Sequence, residues 1–316
     1  MSDVLVSKIL VLDEELGHLN EFREFCLANN LVALKVKKHR LMSVLRSNID
    51  LGAILYSETY GGSPAENAEI AYRINSIRPE LPIILRRELG SLPENPLATR
   101  HIFCATYTAD DLPSLKKAID DYIFSLYYPC DLVRGIAEMT ESAFNSQFKG
   151  MTLRGETPYI VRDRVIFGEV FSLIPLESAW CRGYMMIQTE EAPLLDVLNH
   201  RGQRQEPVGF REVNNLLSEV TNLIWGAFKN RYIGDTAASN QHIQVPLIIN
   251  HKHKYISFGT ENPQLCFFYL LTDEESGESI KVYQRFIFNL SWSPEDFKEI
   301  LHDSTALVEA GELELF

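Results

Sequence analysis

The chain has 316 residues, 46% of them hydrophobic and 23% charged, which fits two ordinary globular domains and excludes a disordered polymer. Its formal net charge of −13 argues against nucleic acid and anionic membrane as partners, since both need a basic face. No apolar run reaches the length of a membrane span, and the start MSDVLVSKILVL lacks the basic region and cleavage site of a signal peptide, so the expected location is the cytoplasm.

Five scattered cysteines (Cys26, Cys104, Cys130, Cys181, Cys266) form no CxxC pair and suit buried thiols in a reducing compartment. The first 127 residues alternate strand and helix signals. KILVL (Lys8 to Leu12) reads as a strand, followed by a helix through Leu19 to Ala28. LVALKV is a second strand, and His39 to Arg46 a short helix. GAILYS (Gly52 to Ser57) is a buried strand, Ala65 to Ile77 a helix and Pro82 to Leu85 a fourth strand. HIFCAT (His101 to Thr106) is a fifth, and Ala109 to Leu126 a helix. Such alternation implies a parallel sheet covered on both faces, an α/β domain of the flavodoxin-like, doubly wound type.

These residues resemble the receiver domain of response regulators. KILVLDEE matches the first strand and acidic pair of that family, with Asp13 and Glu14 in those places. EIAYRINSIRPELPIIL resembles its third helix and fourth strand, and TADDLPSLKKAIDDYI its last helix. The resemblance implies a phosphoryl acceptor at the end of the third strand. Here that strand ends in Ser57, followed by Glu58; a shift of one residue would put Glu58 at the acceptor place. Arg86 or Arg87 stands where the family has Thr or Ser, and Ala105, Thr106 and Tyr107 stand where it has Lys. An acyl phosphate needs a carboxylate acceptor and cations around it, so the expectation is a pseudo-receiver with site remnants Asp13, Glu14 and Ser57. Asp13 with Glu14 reads either as a weak cation site or as a solvated strand end.

TyrTyrProCys (127 to 130) marks the expected boundary, giving domains 1–127 and 128–316. Asp131 to Phe148 reads as a helix. VIFGEVFSLIPL (Val165 to Leu176) and AWCRGYMMIQ (Ala179 to Gln188) read as strands joined through Leu-Glu-Ser. Ala192 to Asn199 is a short helix before a polar loop. HIQVPLII, LCFFYLL and IKVYQRFIFNL are three later strands. The class is α+β. AsnHisLysHisLys (250 to 254) reads as a metal-binding pair of histidines or a basic turn. Trp180, Trp225 and Trp292 read as core or interface residues.

The central element is Phe210 to Tyr232. At about 100° per residue, Phe210, Val213, Leu217, Val220, Ile224 and Phe228 share one stripe. Glu212, Asn215, Glu219, Asn222 and Gly226 share the opposite side, within roughly 80°. Asn and Gly are poor helix formers, so two readings stand: a solvated face of a core helix, or a face built for chemistry.

The second half resembles the CheX/CheC/FliY family of response-regulator phosphatases, CheX most closely. The glycine-bearing strand pair, the short helix TEEAPLLDVLN and SEVTNLIWGAF stand in the family's order. The last fits its ExxNxxxG signature with Glu219, Asn222 and Gly226. ExxN alone is a weak motif, repeated here as Glu212 to Asn215. The first helix reads AEMTESAFN, where Glu141 is followed three on by Phe144, so one site is expected. The resemblance implies hydrolysis of the aspartyl phosphate of a CheY-type response regulator. Asn222 would position the water, Glu219 would dock the partner, and Asn215 and Gly226 would touch it. It implies no metal or cofactor of the chain's own, Mg²⁺ on the substrate receiver, and a homodimer. The alternatives are a non-catalytic adaptor for phosphorylated receivers or chemotaxis and flagellar partners, and a scaffold.

Overall fold

The structure is a computed structural model; it describes residues 5–13, 19–46, 51–79, 81–88, 102–162, 168–201, 209–233, 248–250, 255–258 and 262–300. Near-continuous apolar runs build the first sheet: β1 (Ser7–Leu12), β2 (Leu31–Lys35), β3 (Ala53–Ser57), β4 (Ile83–Arg87) and β5 (Phe103–Thr108). All are parallel, in the order β2-β1-β3-β4-β5. Strands buried on both faces need helices on both. Ile9, Val11, Leu55 and Ile84 pack with α1 (Leu19–Ala28) and α4 (Leu112–Tyr122) on one face. Leu10, Leu12, Ile54, Tyr56 and Leu85 pack with α2 (Leu41–Arg46) and α3 (Pro64–Ile77) on the other. Ser63 caps α3 by accepting from the Glu66 amide at 3.2 Å, and Pro64 follows at the first helical position. This is a five-stranded α/β sheet of flavodoxin-like order.

The remaining elements are α5 (Cys130–Gln147), β6 (Met151–Gly155), β7 (Tyr159–Val161), β8 (Val170–Glu177), β9 (Cys181–Thr189), α6 (Glu191–Arg201), α7 (Phe210–Phe228), β10 (Ile248–Asn250), β11 (Tyr255–Ser257), β12 (Gln264–Asp273) and β13 (Ser279–Trp292). An antiparallel sheet runs β6-β12-β13-β9-β8, with β7 also on β12, and β10 pairs with β11. In β13 the alternation expected of a half-covered strand is plain: Phe286 and Phe288 join the core under α5 and α7, while Ile287 turns to the opposite face with Met186 and Phe258.

Several boundaries differ from the sequence reading. The strands β6 and β7 occupy a stretch that carries no expected element, because MTLRG and YIV are too short to show a period. The hairpin turn between β8 and β9 is Ser178 to Trp180, two residues later than the expected Leu-Glu-Ser, with the Ser178 hydroxyl accepting from the Cys181 amide at 2.9 Å. The fifth parallel strand runs from Phe103 to Thr108, past the expected end at Thr106, so Tyr107 lies within it along with Ala105 and Thr106. The central helix is regular only to Phe228; Lys229–Ile233 is a wider π turn. Cys130 is exposed, not buried, since it opens α5 at the surface; Cys26, Cys181 and Cys266 are buried. Trp180 is buried among Phe228, Phe288 and Phe297, as a core residue should be.

The two sheets are stitched together. Val6, just before β1, bridges Tyr159 of β7 in parallel fashion, with the Ile160 amide donating to the Val6 carbonyl at 2.8 Å. The Ser7 hydroxyl donates to the Ile160 carbonyl at 2.9 Å. Tyr128 donates to the Pro263 carbonyl at 2.8 Å, and Arg162 to the Tyr122 carbonyl at 3.1 Å. One apolar core runs without a break from Ile9 and Ile123 through Leu132 to Phe286.

Candidate functional site

α7 lies beside α5 on the antiparallel sheet and buries Val213, Leu217, Val220, Ile224 and Phe228. That burial fixes its rotation. The Thr221 hydroxyl donates to the Leu217 carbonyl at 2.7 Å and stands 2.8 Å from the Ser172 hydroxyl of β8. At the far end the Tyr232 hydroxyl donates to the Asp131 carbonyl at 3.0 Å, and Trp180 Nε1 donates to the Tyr232 carbonyl at 3.0 Å. With its apolar stripe held from both sides, the helix has one face left for solvent.

On that face stand Asn215, Glu219 and Asn222, all exposed, with Gly226 half-buried. Glu219 makes no ion pair among the described residues, and neither Asn215 nor Asn222 makes a side-chain hydrogen bond there. Helix carboxylates elsewhere are often engaged: Glu66 with Lys38, Asp131 with Arg134, Glu138 with Arg231. A Cβ built on Gly226 meets nothing within 4 Å. Internal packing therefore does not demand this glycine. Leu223, absent from the sequence-level candidates, is 38% exposed and sits between Glu219 and Gly226 on the helix surface. Its place in an apolar helix hid it; only its burial singles it out.

The structure separates the two ExxN copies. Glu212 accepts from the Gly209 amide at 3.0 Å and so closes the N-terminus of α7, leaving that copy's carboxylate engaged. Glu219, in the middle of the helix, has no such duty. On α5, Glu141 is exposed but Phe144 is buried in the core, so no second amide-bearing site arises there.

The first half brings another group together. The strand register places Ser57, Arg86 and Tyr107 side by side across β3, β4 and β5, and Asp13 directly follows β1 next to them. Arg86 Nε lies 2.6 Å from Asp13 Oδ2, and its Nη2 donates to Asp13 Oδ1 at 3.2 Å and to Ser57 Oγ at 3.1 Å. Arg86 Nη1 is 2.8 Å from Glu88. Burial works against the guanidinium charge, but Asp13 and Glu88 beside it hold its pKa above the ordinary value. Burial also pushes the Tyr107 phenol up, with Arg86 acting the other way. Glu58 points elsewhere: it accepts from the Glu88 amide at 2.6 Å and lies 3.6 Å from Arg87. Glu14, and the histidines at 251 and 253, lie outside the described residues. The described residues hold no group of three or more His, Cys, Asp or Glu arranged to bind a metal, and no helix long and apolar enough to cross a membrane. The arginine pair ending the run PIILRR was the available sequence signal for the Arg86 cluster; its partners were not, since Asp13 is 73 residues away.

No family model matches the chain, and no curated protein matches it. Among solved structures, the chain is similar to chemotaxis protein CheX from Vibrio vulnificus, 17% identical over 49% of this chain and 97% of that one, with a TM-score of 0.30. It is similar to a CheC-like superfamily protein from Shewanella sp. PV-4, 17% identical over 51% of this chain and 99% of that one, with a TM-score of 0.32. It is also similar to full-length FixJ from B. japonicum, 13% identical over 45% of this chain and 70% of that one, with a TM-score of 0.31.

Proposed function

We propose that this protein hydrolyses the aspartyl phosphate of a separate, CheY-type response regulator, and that the exposed face of α7 is the site. The supporting observation is that Glu219 and Asn222, one turn apart, are exposed and unengaged by the rest of the described chain, on a helix whose rotation the core fixes. An acyl phosphate is already activated; what remains is a water held in line behind phosphorus. A carboxamide accepts from such a water while donating to a phosphoryl oxygen, and its neutrality avoids repelling the anion. That is the role of Asn222. Glu219 meets a cation on the partner and fixes the docking. Asn215 borders the contact, and open space at Gly226 lets the partner's backbone come close. The chain supplies no metal in this reading; Mg²⁺ belongs to the substrate receiver.

Loss of label from phosphorylated receivers of the host tests this. Asn222→Ala lowers the accelerated rate about a hundredfold while binding persists. Glu219→Ala mainly raises KM. An unchanged rate with Asn222→Ala sinks the catalytic reading. Binding without acceleration by the wild-type chain leaves the same face acting as an adaptor.

A further inference from the structure

In an open parallel sheet, ligands enter the crevice outside the carboxyl ends of the strands, where the strand order reverses. The order β2-β1-β3-β4-β5 puts that reversal between β1 and β3. Asp13 and Ser57 stand at the ends of those two strands. The crevice between them is not open. Arg86 reaches into it from β4 and touches both, at 2.6 Å and 3.2 Å to the two oxygens of Asp13 and at 3.1 Å to Ser57. Its remaining nitrogen faces Glu88 at 2.8 Å. Asp13 and Arg86 are each 8% exposed, and Ser57 is 1% exposed.

A buried carboxylate needs a partner charge, because solvent is not there to stabilise it. A diffusible cation is one solution and an arginine is another. Arginine stays protonated at any ordinary pH and grips a carboxylate with two parallel contacts. We propose that Arg86 is a tethered cation that fills this crevice from within, so that the first half holds one state whether or not divalent cations and phosphoryl-like anions are present. A divalent cation approaching Asp13 meets a fixed guanidinium and must break both of its contacts first. The neighbouring Glu58 carboxylate is engaged as well: it accepts from the Glu88 amide at 2.6 Å and lies 3.6 Å from Arg87. Removing the guanidinium leaves Asp13, Glu88 and the Ser57 hydroxyl around one space, which are hard oxygen donors of the kind Mg²⁺ and Mn²⁺ accept.

The test is Mn²⁺ titration of the full chain, followed by electron paramagnetic resonance of free Mn²⁺ and by near-ultraviolet circular dichroism. Wild type is expected to bind no Mn²⁺ that depends on Asp13, and its spectrum does not change with Mn²⁺ or beryllofluoride. Arg86→Ala is expected to gain one site, at least tenfold tighter than any weak surface binding and lost again in Arg86→Ala/Asp13→Asn. Arg86→Gln keeps polar contacts without the charge and serves if the alanine variant does not fold. Asp13-dependent Mn²⁺ binding by wild type overturns the proposal. So does a folded Arg86→Gln or Arg86→Ala protein that gains no site.

Discussion

A Cβ on Gly226 meets no atom within 4 Å, so alanine fits this helix without strain. In an exposed helix, Gly→Ala adds about 1 kcal/mol of stability. If the proposed function holds and the space above Gly226 serves an incoming backbone, Gly226→Ala is more stable in urea unfolding and yet dephosphorylates the receiver with a raised KM. A purely structural glycine would give the first effect without the second. Leu223 makes a companion measurement. It is the one large apolar side chain exposed among the described residues after 128, and it stands beside Asn222. Leu223→Ser leaves folding intact and weakens partner binding roughly three- to tenfold, as loss of a partly buried leucine contact does. The polar stripe of 215, 219, 222 and 226 was legible at this scale because helical period alone aligns it. The difference between Glu212 and Glu219 was not, because a capping contact depends on where the helix starts.

α7 works as an element only because α5 and the π turn hold it. The chain of α5 at Gly135 passes so close to Tyr232 that a Cβ there would overlap the phenol hydroxyl. Gly135→Ala is therefore expected to cost about 1–3 kcal/mol, read as a lower urea midpoint, and to disturb the Tyr232 to Asp131 contact that seats the end of α7. Gly168 has a similar necessity, with φ +75° and the Thr189 carbonyl pressed against it at the start of the β8–β9 hairpin. The long helices were readable because their period repeats several times, and the buried strands because they are almost wholly apolar. The strands β6 and β7 were not, since three to five residues hold no full pattern, and their pairing with β12 supplies the hydrogen bonds that make them strands.

Across the whole molecule, the strands of the parallel sheet precede residue 127 and those of the antiparallel sheets follow 128, yet the two sheets share a seam and a core. Cooperative unfolding follows contacts, not sheet membership. All three tryptophans lie in the second half, so tryptophan fluorescence reports that half, whereas far-ultraviolet circular dichroism reports both. The two signals are expected to change together in urea. Gly52→Ala, which would drive a Cβ into the Ser7 hydroxyl at the seam, is expected to lower both midpoints equally. Separate transitions would show that the halves unfold independently.

The sequence by itself determined the α/β order of the first half, the buried stripe of α7 and the alignment of Glu219 with Asn222, because these rest on short apolar runs alternating with helical patterns and on a period of 3.6 residues that neighbouring side chains spell out. The tertiary structure alone decided that Arg86 answers Asp13 across 73 residues, that Glu212 is taken by a helix end while Glu219 stays unengaged, and that Val6 joins one sheet to the other. Each of these is a contact between segments distant in the chain or set by an element's end, and such contacts are fixed by packing and register, which no local period encodes.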